Sequence, residues 1–127
     1  MQPRKILVVD DSKLMHKMYA VMLRQYPMAF AANGREALDR LHDDWHRDID
    51  LVLLDINMPG MSGLELLSTI RSEDAFVDLP VIIISTEGRE DDIVRGLEAG
   101  ASAYIKKPFQ SEDLIYLIAH LEKGSAV

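Results

Sequence analysis

Apolar residues fall along this chain in two alternating textures. KILVV (5–9), LVLL (51–54) and VIII (81–84) are short continuous runs rich in β-branched residues, the texture of strands buried on both faces. AYI (103–105) and MAFAA (28–32) extend the set at lower apolar density. Between these runs apolar positions recur at helical spacing. Leu14, Met18, Val21 and Met22 form one stripe, and Ala37, Leu38 and Leu41 a second. Leu64, Leu67 and Ile70 form a third, Ile93 and Leu97 a fourth, and Leu114, Leu117, Ile118 and Leu121 a fifth. Met15, Met18 and Met22 read as adaptable core filler on the first helix. Ser62 with Glu65 gives a capping-box pattern, Asn33 with Glu36 resembles one, and Ser111 is placed to cap the last helix. LEAG (97–100) ends the fourth helix at a glycine.

Strand and helix thus alternate five times. The pattern predicts an α/β fold, a parallel sheet with helices on both faces and right-handed crossovers. Ligands of such sheets bind beyond the carboxyl ends of the strands, so the chemistry is sought there. The first strand runs into Asp10 and Asp11, and the third into Asp55 with Asn57 two residues on. The fourth ends in Ser85-Thr86, and the fifth is followed by Lys106-Lys107-Pro108. The second strand contributes nothing of this kind.

Three carboxylates in one crevice repel each other unless a cation joins them. Mg²⁺ takes oxygen ligands and retains several waters, so this set suits it. A lysine and a small hydroxyl beside it can stabilise a tetrahedral anion, and an aspartate can itself become an aspartyl-phosphate. Singly, each residue has a structural reading. A DD pair caps a helix, Asp55 serves a turn, Ser85 ends a strand, and Lys107 is a solvated charge. Four strand exits supplying the right residue types together make the combination specific.

Composition narrows the field further. The 127 residues suit one domain, and with 48% apolar residues the chain can bury a core. Twenty-one acids against 14 bases give a net charge of −7, which opposes nonspecific nucleic-acid binding. The absence of cysteine excludes disulfides, thiolate metal sites and cysteine nucleophiles, and favours a cytoplasmic setting. No apolar run reaches signal-peptide or membrane-span length, so no membrane association is expected.

VVDDS (8–12), LLDINMPGMSGLELL (53–67), PVIIIST (80–86) and AGASAYIKKPF (99–109) together resemble the receiver domain of two-component response regulators. The resemblance runs from Lys5 to about Leu121 and is strongest to the single-domain chemotaxis type. It implies one receiver domain over 1–127 with a flavodoxin-like (βα)5 fold and strand order 2-1-3-4-5. It implies that Asp55 accepts a phosphoryl group from a sensor histidine kinase or phosphotransfer protein. By the same resemblance Asp10, Asp11, Asp55 and the backbone carbonyl of Asn57 hold Mg²⁺, and Lys107 pairs with the phosphoryl oxygens. The Lys107–Pro108 bond is expected to be cis. Ser85 is the implied switch hydroxyl and Tyr104 the switch aromatic, reshaping a partner-binding face over roughly residues 89–120 made by the fourth helix, fifth strand and fifth helix (α4–β5–α5). Phosphorylation then acts as a population shift, with the chain a monomer or a phosphorylation-dependent dimer.

Some positions depart from the commoner receiver pattern. Ser85 stands for a threonine, and Thr86 for a small alanine, which narrows the route to the phosphoryl group. Asn57 and Glu87 occupy the two positions that tune dephosphorylation in the family. Trp45 reads as a packing residue near a loop, His42 and His46 as surface histidines, and His16 and His120 carry no partner signal.

On this reading the protein is not an enzyme beyond its own phosphorylation and dephosphorylation. A haloacid dehalogenase-type phosphatase would need a second acid two residues after the nucleophile, where Asn57 stands. A flavin carrier would need a phosphate loop after the first strand. A receiver cut from a larger regulator with a separate output domain is the nearer alternative.

Overall fold

The computed structural model describes residues 2–58, 60–86 and 90–121. Its strands are β1 (Lys5–Val9), β2 (Met28–Ala31), β3 (Ile49–Asp55), β4 (Val81–Thr86) and β5 (Ala103–Lys107). Its helices are α1 (Lys13–Met22), α2 (Gly34–His42), α3 (Gly63–Ser72), α4 (Glu90–Glu98) and α5 (Ser111–His120), with short 3-10 turns at Asp44–His46 and Asp74–Phe76. All strand pairs are parallel, in the expected order β2-β1-β3-β4-β5.

Strand alternation divides the core in two. Leu7, Val9, Val52, Leu54, Val81 and Ile83 pack on one side against Ala37 and Leu41 of α2 and Leu66, Leu67 and Ile70 of α3. Ile6, Val8, Leu51, Leu53, Ile82, Ile84 and Ala103 pack on the other side against Tyr19 of α1 and Leu114 and Ile118 of α5. Both faces of the sheet are dry, which is why these strands read as unbroken apolar runs.

The first helix is not seated as its sequence stripe predicted. Leu14, Met18 and Val21 are exposed at 67, 45 and 71%. Tyr19 and Leu23 are buried instead, with Met15 and Met22 half-buried beside them. The stripe 15-19-22-23 has the same spacing as 14-18-21-22, one residue later, and ridges of both are apolar. The tyrosine hides the true core face from a hydropathy pattern. In α3 the same slip is smaller, with Leu66 buried and Leu64 only half-buried.

The capping box at Ser62 is present, with Ser62 Oγ accepting from Glu65 N–H and Glu65 Oε1 from Ser62 N–H. Asn33 Oδ1 caps α2 by accepting from Glu36 N–H. At α5 the cap position is Gln110, one residue before the expected Ser111, and Asp113 takes the Gln110 N–H at 3.3 Å. Gly100 ends α4 with φ +107°, a conformation side-chain-bearing residues rarely adopt. Trp45 is 86% exposed, so it is not the packing residue expected. Asp43 Oδ1 holds its N–H in the 3-10 turn, and its ring projects outward.

Candidate functional site

Strand periodicity aims the site. Asp10 follows Val8, Asp55 follows Leu53, and Lys107 follows Ile105, each two residues on from a side chain in the α1–α5 core. Because side chains alternate along a strand, all three point to that face of the sheet at its carboxyl edge. The distances agree. Lys107 Nζ lies 3.5 Å from Asp10 Oδ2 and 4.0 Å from Asp55 Oδ2. Asp10, Asp11 and Asp55 each offer a carboxylate oxygen within 4.8 Å of the others.

Asp10 and Asp55 are buried at 2 and 7% exposure, whereas Asp11 faces solvent. Asp10 Oδ1 accepts from Ser12 N–H and Asp55 Oδ1 from Asn57 N–H, both at 2.9 Å. Burial raises the Asp55 carboxyl above its ordinary range. The Asn57 N–H and Lys107 oppose that rise, and the neighbouring Asp10 and Asp11 add to it. Three carboxylates thus face one lysine. The donors are all hard oxygens, which fits Mg²⁺ and disfavours a soft metal.

The other expected residues stand nearby but face differently. Ser85 is fully buried, and its Oγ donates to the Thr86 carbonyl at 3.2 Å. In the β4–β5 register Ser85 pairs with Lys106 and Ile83 with Tyr104, so Ser85 and Tyr104 lie on the face opposite Asp55, one row apart on neighbouring strands. Tyr104 is 41% exposed. Lys106, on that same face, pairs with Glu90 of α4 at 2.9 Å. The Lys107–Pro108 bond is cis, as expected. Glu87 and Pro59 lie outside the described residues.

Three features around the site, a hydrogen bond, a histidine contact and a buried tyrosine, were not foreseen from the sequence pattern. Asn57 Nδ2 donates to Thr86 Oγ1 at 3.2 Å, tying the loop after β3 to the end of β4. His16, for which no partner was foreseen, places Nε2 2.6 Å from the Asp10 carbonyl oxygen and its ring 5.1 Å from Phe30. Tyr19 is buried on the site's own face of the sheet. Away from the site, His42 pairs with Glu73, Lys5 Nζ approaches His46 Nδ1, and His120 Nδ1 meets the Tyr116 carbonyl of its own helix.

A doubly wound parallel sheet of order 2-1-3-4-5, with an acidic cluster and a lysine at its carboxyl edge, defines a flavodoxin-like module whose clustered carboxylates fit a divalent cation. The response regulator receiver domain family matches residues 6–119, and the chain belongs to that family. It is 35% identical to the chemotaxis protein CheY of Pseudomonas aeruginosa, over 87% of this chain and 89% of that protein. It is 39% identical to the phosphate regulon transcriptional regulatory protein PhoB of the same organism, over 88% of this chain and 48% of PhoB. The chain therefore spans about half the length of the PhoB relatives it matches. The crystal structure of chemotaxis protein CheY4 of Vibrio cholerae superposes with a TM-score of 0.83 at 29% identity, over 94% of this chain and 99% of that one. These matches favour neither the dehalogenase-type phosphatase nor the flavin carrier.

Proposed function

We propose that this chain is a phosphorylation-driven switch of a two-component system, with Asp55 as phosphoacceptor. The observation that carries the reading is a buried strand-end carboxylate with a lysine 4.0 Å away and two more carboxylates within 4.8 Å. An Asp55 oxygen attacks the phosphorus of a phosphohistidine. The P–N bond breaks as the P–O bond forms, and the imidazole leaves with its electron pair and takes up a proton. Asp10, Asp11, Asp55 and the Asn57 carbonyl would hold Mg²⁺, which supplies positive charge to the phosphoryl oxygens. Lys107 stands where its ammonium can turn from Asp10 and Asp55 to those oxygens.

Ser85 is the hydroxyl that would move toward the phosphoryl group, and Tyr104 the ring that follows it inward. Their support is the β4–β5 register, which puts both on the α4 side of the sheet. The face reshaped is α4–β5–α5, and its partner is an output protein or domain. The donor is a sensor histidine kinase or a phosphotransfer protein. A cytoplasmic setting goes with those partners, and no described helix is long and apolar enough to cross a membrane. The chain turns over no substrate beyond its own phosphorylation and dephosphorylation.

Intact mass after incubation with acetyl phosphate, with and without Mg²⁺, tests the reading. A single Mg²⁺-dependent phosphoryl adduct, absent from Asp55→Asn, is expected. No adduct on a folded wild type that binds Mg²⁺ would overturn it.

A further inference from the structure

Two of the three clustered carboxylates are held by backbone donors. Asp10 Oδ1 accepts from Ser12 N–H and Asp55 Oδ1 from Asn57 N–H. Asp11 differs. It faces solvent, and among the described residues no hydrogen bond reaches its carboxylate. Beside two buried carboxylates, such a side chain is drawn outward into water by repulsion and hydration together. Its own backbone is what biases it inward, and that backbone is clamped from α1. His16, half-buried, places Nε2 2.6 Å from the Asp10 carbonyl oxygen, with its ring 5.1 Å from Phe30 of β2. A carbonyl oxygen only accepts, so Nε2 carries a proton and donates it. The Asp10–Asp11 peptide is planar, so a hold on its oxygen is a hold on the Asp11 nitrogen and Cα. Asp10 N–H donates to the Ala31 carbonyl at 3.0 Å, which fixes the residue from its other end. His16 N–H donates to the Ser12 carbonyl at 3.1 Å and Ser12 N–H to Asp10 Oδ1, so residues 10–16 close on themselves with Asp11 at the turn.

We infer that His16 is a positioning residue for the Mg²⁺ site, holding the Asp10–Asp11 peptide so that the Asp11 carboxylate is presented to the cation and not to bulk water. His16 acts through that peptide and is not itself a ligand. Outer contacts that orient metal ligands are worth ten-fold or more in affinity. The inference rests on the receiver reading, which puts the cation at this site, and the two fail differently.

The test compares wild type with His16→Phe, which keeps a ring beside Phe30 and removes the donor, and with His16→Gln, which restores an N–H donor without the ring. Calorimetric titration gives the Mg²⁺ dissociation constant of each folded protein. His16→Phe should bind Mg²⁺ about ten-fold more weakly than wild type, and His16→Gln should recover most of that loss. His16→Ala repeats the first comparison with no ring to accommodate. A long-range ¹H–¹⁵N spectrum of wild type at neutral pH should show a His16 proton on Nε2. A merely structural role would lower the melting temperature of His16→Phe in EDTA and leave the Mg²⁺ affinity of the folded protein unchanged. Wild-type affinity in folded His16→Phe or His16→Ala, a His16→Gln no tighter than His16→Phe, or a ring protonated on Nδ1 alone would overturn the role of His16 while leaving Asp55 phosphorylation intact. A wild type that binds no Mg²⁺ and takes no phosphoryl group sinks both.

Discussion

Without a divalent cation the acidic cluster should work against folding, and Asp55→Asn should relieve it. One oxygen of each of the three carboxylates lies within 4.8 Å of the others. At that separation a pair of like charges repels by roughly 3.5 kcal/mol at an effective dielectric of about 20. Asp55 takes part in two such pairs and in one attraction, to Lys107 at 4.0 Å, worth roughly 4 kcal/mol on the same scale. Removing its charge leaves a surplus of about 3 kcal/mol. Water screens the exposed Asp11, which brings the expected gain to about 1–2 kcal/mol. In a domain of this length each kcal/mol moves the melting temperature by about 4 °C, so Asp55→Asn in EDTA should melt roughly 4–8 °C above wild type. The Asn side chain keeps an oxygen for the Asn57 N–H, so no donor is orphaned.

The pH dependence follows from the same buried charge. Burial raises the Asp55 carboxyl in the folded protein, so the fold holds that proton more tightly than the unfolded chain does. The stabilisation is full below the ordinary carboxylate range and is lost as pH rises through the raised value. The advantage of Asp55→Asn should therefore be largest at neutral pH and shrink on acidification. Added Mg²⁺ should stabilise wild type more than the variant and narrow or reverse the gap. Calorimetric melts at two pH values, in EDTA and in Mg²⁺, supply all four comparisons. An Asp55→Asn protein no more stable than wild type in EDTA at neutral pH would refute the electrostatic account of the site.

Other substitutions bear on separate links. Lys107→Met leaves Asp10 and Asp55 without their shared cation beside a third carboxylate; it should lower the EDTA melting temperature by several degrees, about 1–2 kcal/mol, and cut the phosphoryl adduct in intact-mass assays. Gly63→Ala would drive a Cβ into the Ile56 backbone and to 2.7 Å from the Asp55 carbonyl oxygen. It should cost about 1–3 kcal/mol in urea denaturation and slow phosphorylation by displacing the Asp55 exit. Tyr104→Ala, at a 41% exposed position, should change stability by less than about 1 kcal/mol. It should leave the adduct intact while blunting any phosphorylation-dependent change in hydrogen exchange on α4.

The sequence was most legible where one physical constraint acted alone. β1, β3 and β4 are buried on both faces, so their apolar runs had no competing reading. β3 also includes Asp55, so the phosphoacceptor candidate is the last residue of the strand itself. Which strand exits carry the chemistry followed from topology, because a parallel sheet gathers all its carboxyl ends on one edge. The seating of α1 was illegible because two adjacent ridges are both apolar, and hydropathy cannot rank Tyr19 above Leu14 as a core residue. Trp45 misled for the opposite reason, since a large aromatic ring is presumed buried until the turn that carries it is seen. The His16 contact with the Asp10 carbonyl joins a side chain to a backbone oxygen, and no residue pattern records such a pairing.

Lys106 and Lys107 are adjacent on β5 and therefore face opposite sides of the sheet. Lys107 reaches Asp10 and Asp55 on the α1–α5 side, and Lys106 reaches Glu90 at the start of α4 on the other. Ser85 and Thr86 repeat the arrangement at the end of β4, with Thr86 accepting from Asn57 beside the acidic cluster and Ser85 buried on the α4 side. A phosphoryl group at the proposed acceptor Asp55 would stand on the first face, and the two strand ends beside it carry successive residues that belong to both. A displacement of either backbone there moves one side chain in the reaction crevice and its neighbour at the α4 surface together. The sheet that isolates the two halves of the core thus, at its carboxyl edge, also joins them covalently through adjacent residues of β4 and β5.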